Sequence, residues 1–188
     1  MDIILSSISQ GLLWSVMAIG VYLTFRILDI ADMTAEGSYP LGAAVCATGI
    51  VNGLNPLLAT FLAMIAGMGA GLISGLLHTK LKIPALLTGI VTLTGLYSIN
   101  LKILGKANVA LLKQETLVTQ LQDFGLAKTN AVLVIGIIFV LAVVGVLTLL
   151  LNTQIGLAIR STGDNIPMSE ANGINVDIMK IYSYMISN

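Results

Sequence analysis

The chain has 188 residues, with nine basic and nine acidic side chains, one histidine and a formal net charge of zero. Apolar residues make up 56 % of it and charged residues 10 %, whereas an ordinary soluble domain is about 25 % charged. This composition excludes a soluble enzyme, a disordered protein and a nucleic-acid-binding protein, which would need a basic patch. It indicates a polytopic protein of the lipid bilayer with no nucleic-acid partner.

Unbroken apolar blocks, rather than the alternating residues of a membrane β-barrel, predict an all-α transmembrane helical bundle. A helix needs roughly 20 residues to cross the hydrocarbon core. We expect one transmembrane domain over residues 1–188, with spans at about 3–25, 39–51, 56–77, 84–104 and 131–151. The second span is short enough for a broken or re-entrant helix. Residues 105–130 suggest an amphipathic surface helix, and a further span starts within 176–188.

Small residues recur every four positions in the third span, at Gly67, Gly71 and Gly75. This spacing makes a flat helix face that another backbone can approach closely. We expect these glycines to serve helix packing within one subunit, with a dimer interface as the alternative.

Polar side chains in and next to the spans are candidates for a translocation path. The fourth span carries Thr88, Thr92 and Asn100, whose amide would be costly facing lipid. The segment between the first two spans adds Asp32, Thr34 and Ser38. Hydroxyls in a membrane helix either bond to their own backbone or line an interior path.

The acids Asp29, Asp32 and Glu36 cluster beside the short second span. Acids next to an interrupted helix can bind a cation or carry protons, which leaves an ion-coupled secondary transporter or channel as an alternative function. They can equally be helix caps, because Asp32 and Thr34 precede a helix.

Ser74 and His78 lie one helical turn apart, which admits a membrane-embedded hydrolase as a third hypothesis. A histidine at a helix end beside lysines is instead typical of the membrane interface, so we predict no catalytic residue. We also predict no metal site and no cofactor. The phosphate-binding loop of ATPases is missing, since Gly105-Lys106 lacks its preceding glycine and following Ser or Thr. Any ATP hydrolysis must therefore occur on another subunit.

The polar loop predicted at 152–175 contains the signals of a short, rigid helix. Asp164 or Asn165 can cap it, Pro167 fits its first turn, and Glu170 is expected near its N-terminal dipole. Gly173 permits the left-handed residue that ends it. Asn175 can then cap the following helix.

The run Gly156–Asn165 with Glu170–Asn175 resembles the coupling loop of bacterial ABC importer permeases, in the branch serving branched-chain amino acids and ribose-type sugars. The segment Asp32–Ala43 is similar to that family's motif between its first two spans, although Glu36 alters the spacing. The likeness is greatest to a subgroup linked to aromatic amino acids such as tryptophan, and it covers essentially the whole chain.

This resemblance implies a type II ABC importer permease-like fold in the bacterial inner membrane. Its implied partners are an ABC ATP-binding subunit, an extracytoplasmic substrate-binding protein and a second permease copy, as a homodimer. It also implies a cytoplasmic coupling loop and an N-terminus outside the cell. The positive-inside rule places the basic segment 78–82 on that cytoplasmic side, but it is opposed by segment 105–130, which then lies outside with more lysines than acids.

The resemblance also sets expectations for the solute, for the length and for the coupling residues. Hydroxyls and an amide suit a sugar or a zwitterionic amino acid equally, and an amino acid is the expected solute. Permeases of this family are longer, so we expect truncation at the C-terminus. The residues that the resemblance assigns to ATPase coupling are Gly156, Arg160, Gly163, Asp164, Asn165, Pro167, Glu170, Ala171 and Gly173.

Overall fold

A computed structural model of the chain describes residues 2–106, 109, 111, 116–123 and 128–188. All regular structure in these residues is helical, which confirms the predicted all-α fold. The helices in chain order are α1 (Asp2–Tyr22, extended by a π-helical turn at Leu23–Ile27), α2 (Ala35–Val51), α3 (Pro56–Lys80), α4 (Ala85–Leu104), α5 (Leu117–Asp123), α6 (Lys128–Leu151), α7 (Gln154–Asp164), α8 (Ile166–Ala171) and α9 (Val176–Ser187).

Four of these helical segments are long and apolar enough to cross a membrane: Ile4–Ile27, Pro56–Lys80, Ala85–Leu104 and Thr129–Leu151. Local sequence signals define their ends. The Asn55 side chain accepts a hydrogen bond from the Leu57 amide at 2.9 Å, and Pro56 follows as the first residue of α3. Gly105, at φ +62°, ends α4 in the left-handed conformation.

The second helix differs from the short or broken segment expected at 39–51. It starts earlier, at Ala35, and runs for 17 residues without interruption to Val51. Pro40 lies inside it and cannot donate to the carbonyl of Glu36, one turn back. Near the start of this helix, Gly37 lies directly against Leu93 of α4.

Helix α2 packs against α3 and α4. The three helices share an apolar core cluster built from Leu41, Ala70 and Leu96. Helix α9 packs along α3, and α1 packs against α6. Of the amphipathic helix expected within 105–130, α5 lies in the described residues, while Leu112, Lys113 and Glu115 lie outside them.

Several connections meet at one end of the bundle. Gly163 in α7 lies against the backbone of Ile27 and Leu28, where α1 ends. The turn between α3 and α4 borders the first turns of α9, since Lys82 and Lys180 line the same cavity. Residues 152–175, called the coupling segment after the role that the resemblance implies, therefore share one end of the molecule with the basic turn at residues 78–82.

Candidate functional site

A buried polar cluster fills the break between α1 and α2. Asp32 accepts a hydrogen bond from the Thr34 amide at 2.8 Å through one carboxylate oxygen, and from the Asn188 side chain at 3.2 Å through the other. The Thr34 hydroxyl lies 2.9 Å from that of Ser74 on α3, and Ser38 donates to Asn188 at 2.7 Å. We call these five residues the break cluster. It joins three separate segments of the chain through side-chain hydrogen bonds.

The three acids of this region have different environments. Asp32 is 1 % exposed, whereas Asp29 and Glu36 are exposed at the surface. Asp32 accepts from the amide of Thr34, the residue before α2, and the Thr34 side chain makes no capping hydrogen bond. In the described part of the chain, no group of three or more His, Cys, Asp or Glu side chains could hold a metal ion. The acids therefore do not form one joint site.

Thr88, Thr92 and Asn100 lie on the buried face of α4, whereas Thr94 and Ser98 are exposed. Thr88 donates a long hydrogen bond to the Ile83 carbonyl at 3.5 Å. The Thr92 hydroxyl and the Asn100 side-chain oxygen are buried and have no hydrogen-bond partner among the residues that the structure describes. Buried polar atoms of this kind are rare and call for an explanation such as a water or a ligand. They are the polar atoms of α4 best suited to a solute or water path.

Two of the candidate path groups are neighbours in space. Met33, between Asp32 and Thr34, lies close to Gly89 of α4. A Cβ atom added to Gly89 would stand 2.7 Å from the amide nitrogen of Met33. Gly89 follows Thr88 in α4. The break cluster therefore adjoins one end of the α4 polar face, and Asn100 lies three turns further along the helix.

Ser74 and His78 have separate partners. Ser74 bonds to Thr34, and the His78 Nδ1 atom lies 2.8 Å from the Ile83 carbonyl. A nucleophile and its base need a shared hydrogen bond. This arrangement gives the hydrolase hypothesis no geometric support.

The glycine row of α3 lies against α9. A Cβ at Gly71 would overlap the Tyr184 carbonyl, and one at Gly75 would stand 3.1 Å from the Ile181 Cα. Gly67 lies in the same way against the Asn188 backbone. In this structure the groove is occupied by a helix of the same chain.

The coupling segment contains more helix than the polar loop predicted at 152–175. An unforeseen helix, α7, runs from Gln154 to Asp164, and the Thr153 side chain accepts from the Gly156 amide at its start. The signal in the sequence is Thr153 before a polar stretch whose Ile159 and Thr162 are buried one turn apart. Gly156 also packs on the backbone of Leu151, the last residue of α6.

The short helix expected near Pro167 is α8. Asn165, rather than Asp164, caps it, by accepting from the Met168 amide at 3.0 Å. Gly173 follows it at φ +79°, and the Asn175 side chain caps α9. The expected position of Glu170 near the N-terminal dipole was wrong, because Glu170 lies in the last turn of this six-residue helix.

The predicted coupling residues are mostly on the surface. Those exposed are Arg160, Asp164, Asn165, Pro167, Glu170, Ala171 and Gly173, while Gly156 is buried and Gly163 half-buried. Met168 in α8 is also 64 % exposed. The result is a capped helix that displays a mixed apolar and polar surface.

The family described as "Branched-chain amino acid transport system / permease component" matches residues 3–188. A tyrosine transport system permease protein of Clostridioides difficile is 42 % identical over 98 % of this chain and 60 % of its own length. An uncharacterized protein of Rickettsia prowazekii is 32 % identical over 100 % of the chain and 64 % of its own.

An autoinducer 2 import system permease protein, LsrC, of Yersinia enterocolitica is 29 % identical over 98 % of the chain and 49 % of its own length. The chain thus spans about half to two thirds of the length of these relatives. No solved structure matches it significantly.

Proposed function

Because the chain belongs to the family of branched-chain amino acid transport permeases, we propose that it is the membrane subunit of an ATP-driven importer of an amino acid. One observation carries this proposal. The exposed, doubly capped α8 continues through Gly173 directly into α9, and α9 packs along α3 to the break cluster. A movement imposed on α8 therefore has a rigid route to the buried polar residues.

In this proposal α8 docks onto a separate ATP-binding subunit. Its exposed Met168 supplies an apolar contact, and Glu170 supplies a charge at the rim. Binding of ATP would close two such subunits and shift α8. Because Gly71 and Gly75 hold α9 in backbone contact with α3, α9 would pass that shift on rather than bend.

The break cluster and the polar face of α4 are the proposed path lining: Asp32, Thr34, Ser38, Thr88, Thr92 and Asn100. The unpartnered Thr92 and Asn100 atoms support this assignment, because a passing solute or water would satisfy them. The proposed solute is an amino acid, delivered by an extracytoplasmic binding protein. The name of the Clostridioides difficile relative, a tyrosine transport permease, supports that solute class.

We further propose the bacterial inner membrane as the location and a homodimer as the assembly. The coupling end would face the cytoplasm, with the N-terminus outside. The shared position of the basic turn, with Lys80 and Lys82, and of α7 supports this orientation, since basic loops stay cytoplasmic.

The test alters α8 in the whole permease, assembled with its ATP-binding subunit. Gly173→Val forces a β-branched residue into a left-handed conformation, which costs roughly 1–2 kcal/mol and misdirects α8. Glu170→Lys reverses the rim charge. Both variants are expected to lower solute uptake and recovery of the ATP-binding subunit several-fold.

Gln154→Ala, an exposed change at the start of α7, is the matched control and should leave uptake and assembly unchanged. Size-exclusion elution verifies that each variant is folded. Normal uptake and normal assembly in both α8 variants would contradict the coupling role.

A further inference from the structure

A cavity of about 350 Å³ lies between the end of α3 and the starts of α4 and α9. Its charged and titratable lining groups are His78, Lys82, Asp177 and Lys180, with Pro84 at its edge. The volume is within the range of small-ligand pockets. The coupling route described above does not use this cavity.

The lining has an excess of basic groups. Two lysines and a histidine face a single carboxylate, Asp177. Among the residues that the structure describes, none forms an ion pair with Lys82 or Lys180. Two free ammonium groups in one cavity repel each other unless an anion lies between them.

The wall of the cavity is well fixed. The His78 Nδ1 atom lies 2.8 Å from the Ile83 carbonyl, and its ring lies 5.9 Å from that of Tyr184. The residue before α4, Pro84, provides no side-chain cap. The first amides of α4 are therefore left without a side-chain acceptor, at the positive end of its dipole.

The position of the cavity relative to the membrane limits the class of ligand that it can bind. Helices α3 and α4 are both apolar and long enough to span a bilayer, and the cavity lies where they meet their connecting turn. The ends of membrane-spanning helices lie at the depth of the lipid headgroups. Leu81 and Leu86 next to the cavity are 64 % and 49 % exposed, so apolar surface is available for an acyl chain.

We propose that this cavity binds a phosphate group, carried by an anionic phospholipid or by a soluble phosphate. Basic pockets between membrane helices recognise phospholipid headgroups in this way. Lys82 and Lys180 contact the phosphate oxygens, and the positive end of the α4 dipole lies beside the cavity. The Asp177 carboxylate repels the phosphate and lowers its binding affinity.

The test uses the whole permease, purified in detergent and stripped of lipid. Native mass spectrometry measures the binding of phosphatidylglycerol, phosphatidylcholine and glycerol 3-phosphate. Each lysine near a headgroup contributes roughly fivefold to affinity. We expect Lys82→Gln and Lys180→Gln each to weaken phosphatidylglycerol binding about fivefold, and Asp177→Asn to strengthen it about twofold.

Lys80→Gln is the matched control, because Lys80 lies at the same helix end but does not line the cavity. It should change binding by less than about twofold, since a charge outside the cavity makes no direct contact with the phosphate and is screened by salt. Lysine-dependent binding of phosphatidylglycerol alone assigns the cavity to a lipid, and equal binding of glycerol 3-phosphate assigns it to a soluble phosphate. Equal effects of all three lysine changes, or equal binding of phosphatidylcholine, would overturn the proposal.

Discussion

The α3–α9 and α1–α6 interfaces join helices in two different ways. At the first, glycines bring backbone against backbone, and the contact ends in the break cluster. At the second, a Cβ on Gly136 would meet the Leu12 side chain at 3.2 Å. In the most apolar stretch of α1 and of α6 only 6 % of residues are buried, against 28 % in α3.

This difference shows that the hydropathy of a helix and the extent of its packing within the chain are separate properties. Helix α6 is the most apolar of the spanning segments, yet it buries little of itself within the chain. Helix α3 is less apolar and far better packed. Apolar composition indicates that a helix lies in lipid, whereas small residues at a fixed spacing indicate where it contacts another helix.

Gly71→Ala should have the largest effect, because it breaks the tighter interface. The new methyl group would overlap the Tyr184 carbonyl, and a backbone group cannot rotate away as a side chain can. We expect the free energy of unfolding in a detergent titration to fall by about 2–3 kcal/mol. Solute uptake should fall with it, because α9 no longer follows α3.

Gly69→Ala is the control for that experiment. Gly69 lies on the same helix, but a Cβ there meets nothing within 4 Å. Its substitution should be neutral or slightly stabilising, since alanine favours a helix. Equal losses at Gly69 and Gly71 would show that helix propensity or lipid contact, and not the α9 backbone, determines the cost.

What could be predicted from the sequence depended on the distance between interacting residues. The caps of α8 and α9 follow from Asn165, Gly173 and Asn175, since each acts on amides within a few positions. The hydrogen bonds of the break cluster join residues 40, 150 and 156 positions apart. No local pattern specifies such partners, so Ser74 and Asn188 were not predicted as members.

The helical content of the coupling segment illustrates the same limit. Helix α7 is short and amphipathic, and its buried face, with Ile159 and Thr162, forms in a helix that packs against α6 and α9. The unbroken α2 likewise continues past Pro40 in a helix that packs against α3 and α4. In both cases tertiary contacts decided a structure that local propensity left open.

Asp32→Ala should have the second largest effect, because it removes the acceptor at the centre of the break cluster. The buried Thr34 amide and the Asn188 side chain would each lose a hydrogen bond. An unsatisfied buried donor costs about 2 kcal/mol of unfolding free energy. Glu36→Ala removes an exposed acid nearby and should change stability little; a similar loss there would contradict the cluster's role.

Gly136→Ala should have the smallest effect and tests the looser interface with the same added methyl group. Its nearest neighbour is the Leu12 side chain, which can shift by changing its rotamer. We expect the free energy of unfolding to change by no more than about 0.5 kcal/mol, because alanine's better helix propensity offsets the crowding. The same detergent titration used for Gly71→Ala measures it. A loss as large as that of Gly71→Ala would mean that α1 and α6 are held as rigidly as α3 and α9, and the contrast between the two interfaces would fail.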